Sequence, residues 1–305
     1  MTLDSTTCEI CLGSAITNST KIADDVTEDI KLRQVSIVKY FAFLRNNSNA
    51  PVDVKLIVLD ACILSSLLYN AETWANAKFQ RLEIVYRRML KSILGVGMTT
   101  CTEFLYLELG VLSVKVRVII KQWKFWKKVL AMNSWNPLAY VIQQARKYKL
   151  KEVKHYDDLV NKYSSVEDIV NEFNEDVKAK IRSKAENGRS KYITYLEINP
   201  ELETPQIYEQ LANKKLVSMI AKLRTSSHNL RIEMGRRTGT SREQRICHCG
   251  NDIETERHFL LECGLYHEMR AKHHIESMQT PVALLNNVEY VNFIRDCFDE
   301  RKKYV

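Results

Sequence analysis

Apolar residues recur every three or four positions along most of this chain, and this is the spacing of one face of an α-helix. Ile30, Ile37 and Phe41 mark the first such segment, which follows acidic residues that suit a helix N-terminus. Only residues 10–17 form a short stretch of strand-like composition. We therefore predict a mainly α-helical fold with a small β-remnant near its start.

Breaks in this pattern indicate the domain organisation. The polar segment 133–137 ends the first group of helices. We expect residues 1–135 to form a helical bundle, residues 138–245 a charged helical connector, and residues 246–305 a helical C-terminal region. Helices within the connector are predicted over 138–149, 157–163, 166–184 and 207–223.

Three cysteines and one histidine lie close together near the C-terminus: Cys247, Cys249, His258 and Cys263. Thiolate and imidazole groups in this number are the ligands of closed tetrahedral zinc sites. Zinc would order a small hairpin that has too little apolar surface to fold alone. The spacing of His258 and Cys263 is that of a zinc knuckle, whereas one residue, instead of the usual two, separates the first cysteine pair. The alternative is a cluster of reduced cysteines without metal.

The net charge of +8 favours an acidic partner such as nucleic acid. The excess is local, since residues 78–154 contain 16 lysines and arginines but four acidic residues. Eight cysteines without a signal-type N-terminus argue against a secreted disulfide framework. The longest apolar run, 56–69, is interrupted by Asp60. We expect an intracellular protein, nuclear or cytoplasmic, without a membrane partner.

Seven basic residues on two predicted helices form a second candidate site: Arg87, Arg88, Lys91, Arg117, Lys121, Lys124 and Lys128. The last four step along one helix by four, three and four positions and therefore share a face. No acidic residues accompany this stripe to pair with it, and like charges at this spacing destabilise a helix. Phosphates would offset this cost, so we predict contact with a nucleic-acid backbone. The alternative is a solvated helix face.

No constellation of residues predicts catalysis. The pairs Asp24–Asp25 and Asp157–Asp158 are similar to the paired carboxylates that bind magnesium in polymerases. Both pairs lie at predicted helix starts, where acidic residues are expected as caps. We therefore expect no magnesium site.

Several segments, taken in order, resemble the C-terminal part of the reverse transcriptase polyprotein of non-LTR retrotransposons, the long interspersed elements (LINEs). Residues 64–74 are similar to the family's motif ending Leu-Leu-Tyr-Gly-x-Glu-x-Trp, with Asn70 in place of the glycine. Residues 10–17 resemble the strand at the palm–thumb junction. Further matching segments are 87–96, 106–110 and 223–236, followed by the cysteine cluster.

The resemblance implies a thumb-like module in residues 1–135 that grips a template–primer duplex through its backbone. It also implies a C-terminal zinc knuckle that helps bind RNA or DNA during target-primed reverse transcription. The family's palm, with its catalytic aspartate pair, would precede Leu12 and Gly13. We therefore expect this chain to be inactive alone, although its family is that of an RNA-directed DNA polymerase. A separate palm module or another protein would be a further partner.

The resulting prediction is a fragment of such a reverse transcriptase that binds an RNA or DNA template–primer and holds one zinc ion. Two alternatives stay open. The first is a zinc-containing helical module that binds a protein, and the second is a decayed retroelement relic without activity. Salt-sensitive binding of nucleic acid separates the prediction from the first alternative.

Overall fold

The computed structural model describes residues 8–19, 22–75, 77, 80–211 and 213–304. These residues confirm the predicted mainly helical fold. A hairpin of β1 (Cys8–Cys11) and β2 (Ser14–Thr17) comes first. The α-helices are α1 (Ile22–Leu32), α2 (Gln34–Asn46), α3 (Val52–Val58), α4 (Ser65–Leu67), α5 (Gln80–Leu94), α6 (Thr102–Leu109), α7 (Val114–Leu130), α8 (Pro137–Lys147), α9 (Lys151–Lys162), α10 (Val166–Glu186), α11 (Ser190–Ile198), α12 (Lys214–Arg224), α13 (Arg231–Thr238), α14 (His267–Lys272), α15 (Pro281–Asn286) and α16 (Val291–Arg301).

The strand-like stretch folds back on itself as an antiparallel hairpin instead of forming a single strand. Leu12 and Gly13 have φ angles of 48° and 83°, which are typical of the two central residues of a type I′ turn. Asp24 and Asp25 lie in the first turn of α1, as predicted. Asp25 accepts a hydrogen bond of 2.7 Å from the backbone N–H of Thr17, so this acid holds β2 against the helix.

The chain divides into two compact units that are interleaved along the sequence. Unit 1 comprises Met1–Asn46, Leu56–Arg87 and Leu112–Asp176, and unit 2 comprises Asn47–Lys55, Arg88–Val111 and Val177–Val305. Three of the five boundaries between these segments fall within helices, namely α3, α5 and α10. The three domains expected from the sequence, 1–135, 138–245 and 246–305, stay predictions.

One face of α7 contributes to the core of unit 1. Val118 and Trp126 are buried on this face, and Trp126 stacks on Tyr156 of α9 with ring centroids 4.8 Å apart. The indole N–H of Trp126 donates to Asp157 at 2.8 Å, and the guanidinium of Arg146 pairs with the same carboxylate at 2.6 Å. Asp157 lies in the middle of α9, and its carboxylate joins this helix to α7 and α8. The predicted role of this residue as a cap at a helix start is wrong.

The core of unit 2 contains a buried ionic network. The side chains of Arg224 on α12 and Glu108 on α6 are 0 % exposed, and two hydrogen bonds of 2.7 and 2.9 Å join them. The hydroxyls of Tyr195 and Tyr208 donate to the same carboxylate, and Arg224 also donates to the side-chain oxygen of Asn286 at 2.6 Å. Each buried charge thus has several hydrogen-bond partners, as burial of an ion pair requires.

The predicted helix 207–223 is two separate elements. Gln206–Gln210 is a 3-10 turn, and α12 begins only after Asn213. The side chain of Asn213 accepts a hydrogen bond of 2.8 Å from the backbone N–H of Lys215, which is the bond of a helix N-cap. The cap fixes where α12 begins and places Lys214 and Lys215 in its first turn.

Candidate metal centre and basic surfaces

The first two cysteines lie on a short hairpin in unit 2. Ile246 and Ile253 form an antiparallel β-bridge that closes it. The backbone N–H of Cys247 donates to the carbonyl oxygen of Asp252 at 2.7 Å, and that of Gly250 donates to the carbonyl oxygen of Cys247 at 2.9 Å. Gly250 has a φ of 79°, a left-handed conformation that a glycine adopts without steric cost. This turn keeps Cys247 and Cys249, which are separated by one residue, at the same end of the hairpin.

A π-helical turn, His258–Glu262, carries the histidine of the cluster and leads directly to Cys263. The backbone N–H of Cys263 donates to the carbonyl oxygen of His258 at 2.8 Å, five residues earlier. One ligand atom from each of the four predicted residues lies within 4.8 Å of the others. The structure therefore brings together Cys247, Cys249, His258 and Cys263, as the sequence predicted.

The distances within this cluster fit a tetrahedral metal site. The Sγ atoms of Cys247 and Cys263 are 3.6 Å apart, and the Sγ atom of Cys249 is 3.3 Å from Nε2 of His258. Sulfur and nitrogen ligands at ordinary distances from a tetrahedral zinc ion lie roughly 3.5–3.8 Å from one another, so the first distance falls in this range and the second is slightly shorter. Cys247, His258 and Cys263 are buried, which is typical of closed structural sites. The residues present can therefore hold a metal ion.

The surroundings of the cluster disfavour free thiolates at two of its three cysteines. Burial raises the pKa of Cys247 and raises the pKa of Cys263 to about 12. Burial opposes ionisation of Cys249 as well, but hydrogen bonds from neighbouring backbone and side-chain groups lower the pKa of this thiol. Buried thiols with a raised pKa ionise when a cation compensates the thiolate charge, and a divalent metal supplies this compensation.

His248, which separates the two cysteines of the hairpin, is not part of the cluster. Both of its ring nitrogens lie 3.3 Å from the guanidinium of Arg231, so this histidine does not replace a ligand. A carboxylate oxygen of Glu262 lies 3.9 Å from Nδ1 of His258. Asp252, His258 and Glu262 also form a group within 4.8 Å, but its two carboxylates are exposed.

Two buried glutamates anchor the hairpin to the rest of unit 2. Glu254 accepts hydrogen bonds of 2.6 and 2.8 Å from Arg301 on α16 and one of 2.6 Å from the backbone N–H of Arg231. Glu256 lies 2.8 Å from Nε2 of His228. These anchors were not predicted from the sequence. The acidic residues just before the histidine ligand were the available signal, but their partners are 28 and 47 positions away.

Arg245 fixes the chain immediately before the hairpin. Its guanidinium donates to the carbonyl oxygen of Thr240 at 2.7 and 3.0 Å and to that of Ile232 at 3.0 Å. The side chain passes so close to Gly235 that a Cβ atom there would lie 2.5 Å from Nε of Arg245. A side chain at position 235 would therefore displace Arg245 from its three carbonyl contacts.

In unit 1, the predicted basic residues of α7 have different surroundings. Arg117 pairs with Asp60 at 3.1 Å. Lys121 lies 3.9 Å from a carboxylate oxygen of Glu72 and donates to the carbonyl oxygen of Leu68 at 2.8 Å. The expectation that no acidic residue accompanies the stripe is therefore wrong. The compensating acids come from residues about 50 positions away in the sequence, where local charge counting does not find them.

The C-terminal half of α7 retains its positive charge. Lys124 and Lys128 are exposed and form no ion pair with any residue that the structure describes. Lys127 is also exposed, and its ammonium lies over the ring of Trp123 at 5.5 Å from the centroid. We call Lys124, Lys127 and Lys128 the outer face of α7. Positive charge on this face is available to a partner.

The other three predicted residues, Arg87, Arg88 and Lys91, lie on α5. Arg88 is exposed, whereas Arg87 donates to the carbonyl oxygen of Glu83 at 3.2 Å and Lys91 donates to that of Met98. The boundary between the units falls directly after Arg87. A shared role of these residues in binding nucleic acid stays a prediction.

No helix in the described part of the chain combines the length and the apolar character needed to cross a lipid bilayer. No model of a known protein family, no curated protein and no solved structure matches this chain. The resemblance to LINE-type reverse transcriptases therefore stays a prediction.

Proposed function

We propose that this chain is a metal-structured nucleic-acid-binding protein, in which one zinc ion orders unit 2 and α7 contacts the phosphate backbone of an RNA or DNA template–primer. The observation that carries the proposal is the uncompensated charge on the outer face of α7, in a chain with a net charge of +8. Lysines that have no acidic neighbour bind phosphates without first breaking an ion pair.

Zinc is the metal that the donor set favours. Three thiolates and one imidazole form a donor set typical of structural zinc, and four such ligands would fill a tetrahedral shell and leave no open coordination position for catalysis. When bound, zinc would supply cross-linking of the hairpin to the turn that carries His258 and Cys263. The buried anchors Glu254 and Glu256 would then transmit this order to α16 and to the segment before α13.

Contacts from lysines to phosphates would position a duplex without reading its sequence. Such contacts release counterions, so the affinity falls steeply as salt concentration rises. The four residues of the predicted stripe would contribute unequally, because Arg117 and Lys121 already pair with Asp60 and Glu72. The outer face would carry most of the interaction.

The test is fluorescence anisotropy of a labelled primer–template duplex across a potassium chloride series. For Lys124→Ala/Lys128→Ala, we expect roughly tenfold weaker binding and a salt slope that is smaller by about 2. Lys147→Ala/Lys154→Ala is the matched control, because these lysines are also exposed on helices of unit 1. A wild-type chain that binds no nucleic acid, or a Lys124/Lys128 variant that binds like wild type, would overturn the proposal.

A second candidate function, binding of a protein partner, is favoured by one observation in unit 1. A cavity of about 620 Å³ between α1, α2 and α5 has mainly apolar lining, including Ile30, Ile37, Val38 and Ile84. Val38 is 68 % exposed. Binding in such a cavity depends on apolar contact, so it would persist at salt concentrations that abolish contacts with phosphates.

A further inference from the structure

A second basic surface, which the sequence analysis did not identify, lies in unit 2. α12 and α16 border a groove of about 820 Å³. Asp299 is the one acidic residue that lines it. The positively charged lining residues are Lys214, Lys215, Lys222, Arg295, Arg301 and Lys302.

The charge on the α12 side of this groove is uncompensated. Lys214, Lys215 and Lys222 form no ion pair with any described residue. On the α16 side, by contrast, Arg301 pairs with Glu254 and Lys302 pairs with Asp299. Arg295 of α16 pairs with Asp296 at 3.5 Å. The uncompensated positive charge of the groove therefore lies on the three lysines of α12. The N-cap at Asn213, which starts α12, sets where the first two of them lie.

The pKa of a neighbouring lysine is consistent with this excess. Lys55 is buried, and burial is the main cause that lowers its pKa. The positive charge of Lys214 lowers the pKa of Lys55 further. A local excess of cations of this kind favours an anionic ligand.

The floor of the groove is apolar and includes one aromatic ring. Leu216, Met219 and Phe298 are half-buried there. Phe298 packs on Phe259, with ring centroids 4.8 Å apart. A groove lined by lysines and an aromatic ring is the arrangement by which proteins stack a base and neutralise the adjoining phosphates of a single strand.

We propose that this groove binds single-stranded RNA or DNA, with phosphates on Lys214, Lys215 and Lys222 and a base against Phe298. A duplex presents its phosphates but keeps its bases paired and stacked, so it would leave the apolar floor unused. The groove volume lies within the range of about 300–1,000 Å³ that is usual for small-ligand sites, which suits a short stretch of strand. This site goes beyond the duplex contact of α7, because its residues and its ligand are different.

The metal centre supports the groove through three contacts. Phe259, which carries the ring beneath Phe298, directly follows the metal ligand His258 in the sequence. Two further lining residues, Arg301 and His228, are held by the hairpin glutamates Glu254 and Glu256. Loss of the metal ion is therefore expected to loosen both the floor and the wall of the groove. Chelation of the metal should weaken single-strand binding.

The experiment compares full-length wild type with Lys214→Glu/Lys215→Glu/Lys222→Glu by anisotropy of a short fluorescein-labelled oligothymidylate. We expect the variant to bind at least tenfold more weakly and its salt slope to fall by about 2, as for the loss of three phosphate contacts on a single strand. The control is Lys180→Glu/Arg182→Glu/Arg189→Glu, which makes the same charge change at exposed positions of unit 2 outside the groove. Circular dichroism melts verify that both variants fold.

A second variant tests the aromatic floor independently of charge. Phe298→Leu keeps an apolar side chain against Phe259 but removes the stacking surface. Since stacking of one base contributes about 1–3 kcal/mol, we expect roughly fivefold or greater weakening for the oligothymidylate and no change for a duplex. Equal weakening for both ligands would contradict a base-stacking role of Phe298.

The outcomes separate this proposal from the one for α7. If the lysine variant of the groove binds the single strand like wild type, the groove proposal fails, whatever the duplex result. If the groove variant loses the single strand while Lys124→Ala/Lys128→Ala retains duplex binding, the groove proposal stands and the α7 proposal fails. Displacement of the oligonucleotide by polyglutamate at equal charge concentration would identify a general polyanion or acidic-peptide surface and would overturn the single-strand assignment.

Discussion

The cluster of candidate metal ligands and the basic face of α7 were predicted in the same way, but the structure arranges their residues differently. Both were identified from residue spacing. In the cysteine–histidine cluster, one ligand atom from each of the four predicted residues lies within 4.8 Å of the others. On α7, Arg117 and Lys121 pair with acids, whereas Lys124 and Lys128 do not pair with any described residue.

The difference lies in the range of the interactions that define each site. Cys247 and Cys263 are 16 positions apart, and backbone hydrogen bonds of a tight hairpin and a single helical turn determine how they meet. The charge of a helix face depends instead on side chains that other elements bring to it. Spacing along one helix predicts which residues share the face but not which of them remain uncompensated.

The largest effect should come from removing a metal ligand. Cys263→Ser should lose bound zinc and lower the melting temperature strongly, because binding of structural zinc contributes on the order of 10 kcal/mol. Metal content by mass spectrometry and a thermal melt measure this. Cys62→Ser is the control, since Cys62 is an exposed cysteine outside the cluster. Equal metal content in both variants would refute the ligand assignment and leave a cluster of reduced cysteines.

The next largest effect is expected from Arg301→Met, which tests whether the hairpin depends on its long-range anchors. Arg301→Met leaves the buried carboxylate of Glu254 without its main partner, so we expect about 3–5 kcal/mol of destabilisation in urea unfolding. Lys302→Met, at a position whose side chain is 76 % exposed, should change stability by less than about 0.5 kcal/mol. Similar values for the two would mean that local structure alone holds the hairpin.

A smaller effect is expected at Gly235, which packs against Arg245 immediately before the hairpin. Gly235→Ala should cost about 1–3 kcal/mol, because the new methyl group meets the side chain of Arg245. Gly264→Ala is the matched control, since nothing lies within 4 Å of the added Cβ atom. If both substitutions are neutral, Arg245 can move without loss, and its carbonyl contacts do not stabilise the hairpin.

The smallest effect concerns an ion pair between α14 and α16. Hydrogen bonds from Lys272 and His273 lower the pKa of Asp296 from 3.8 to about 2. Because the folded state favours the ionised carboxylate, this stabilisation is present above about pH 4 and is lost as the pH falls through about 2. Asp296→Asn should therefore cost a few tenths of a kcal/mol, up to about 1, at neutral pH and much less near pH 2. Unfolding by urea at both pH values measures this, and a pH-independent difference would exclude the ion pair as its cause.

The sequence was informative where local chemistry is sufficient. Apolar spacing predicted the helical fold, and the acids at Asp24 and Asp25 marked the start of α1. It failed where the partner lies far away. Asp157 is a residue type that often caps helices, but it lies within α9. Its carboxylate is bound there by Trp126 and Arg146. The groove between α12 and α16 was also beyond prediction, since its two sides are separated by several elements of the chain.

The sequence by itself determined the helical class, the four residues of the candidate metal site and the order of basic residues on α7. These follow from backbone periodicity and from spacings short enough for a hairpin and one helical turn to close. Tertiary structure alone decided the interleaving of the two units, the burial of Glu254 against Arg301, and the neutralisation of Arg117 by Asp60. The physical reason is that burial and charge compensation depend on distance in space, which distant segments set only when the whole chain packs.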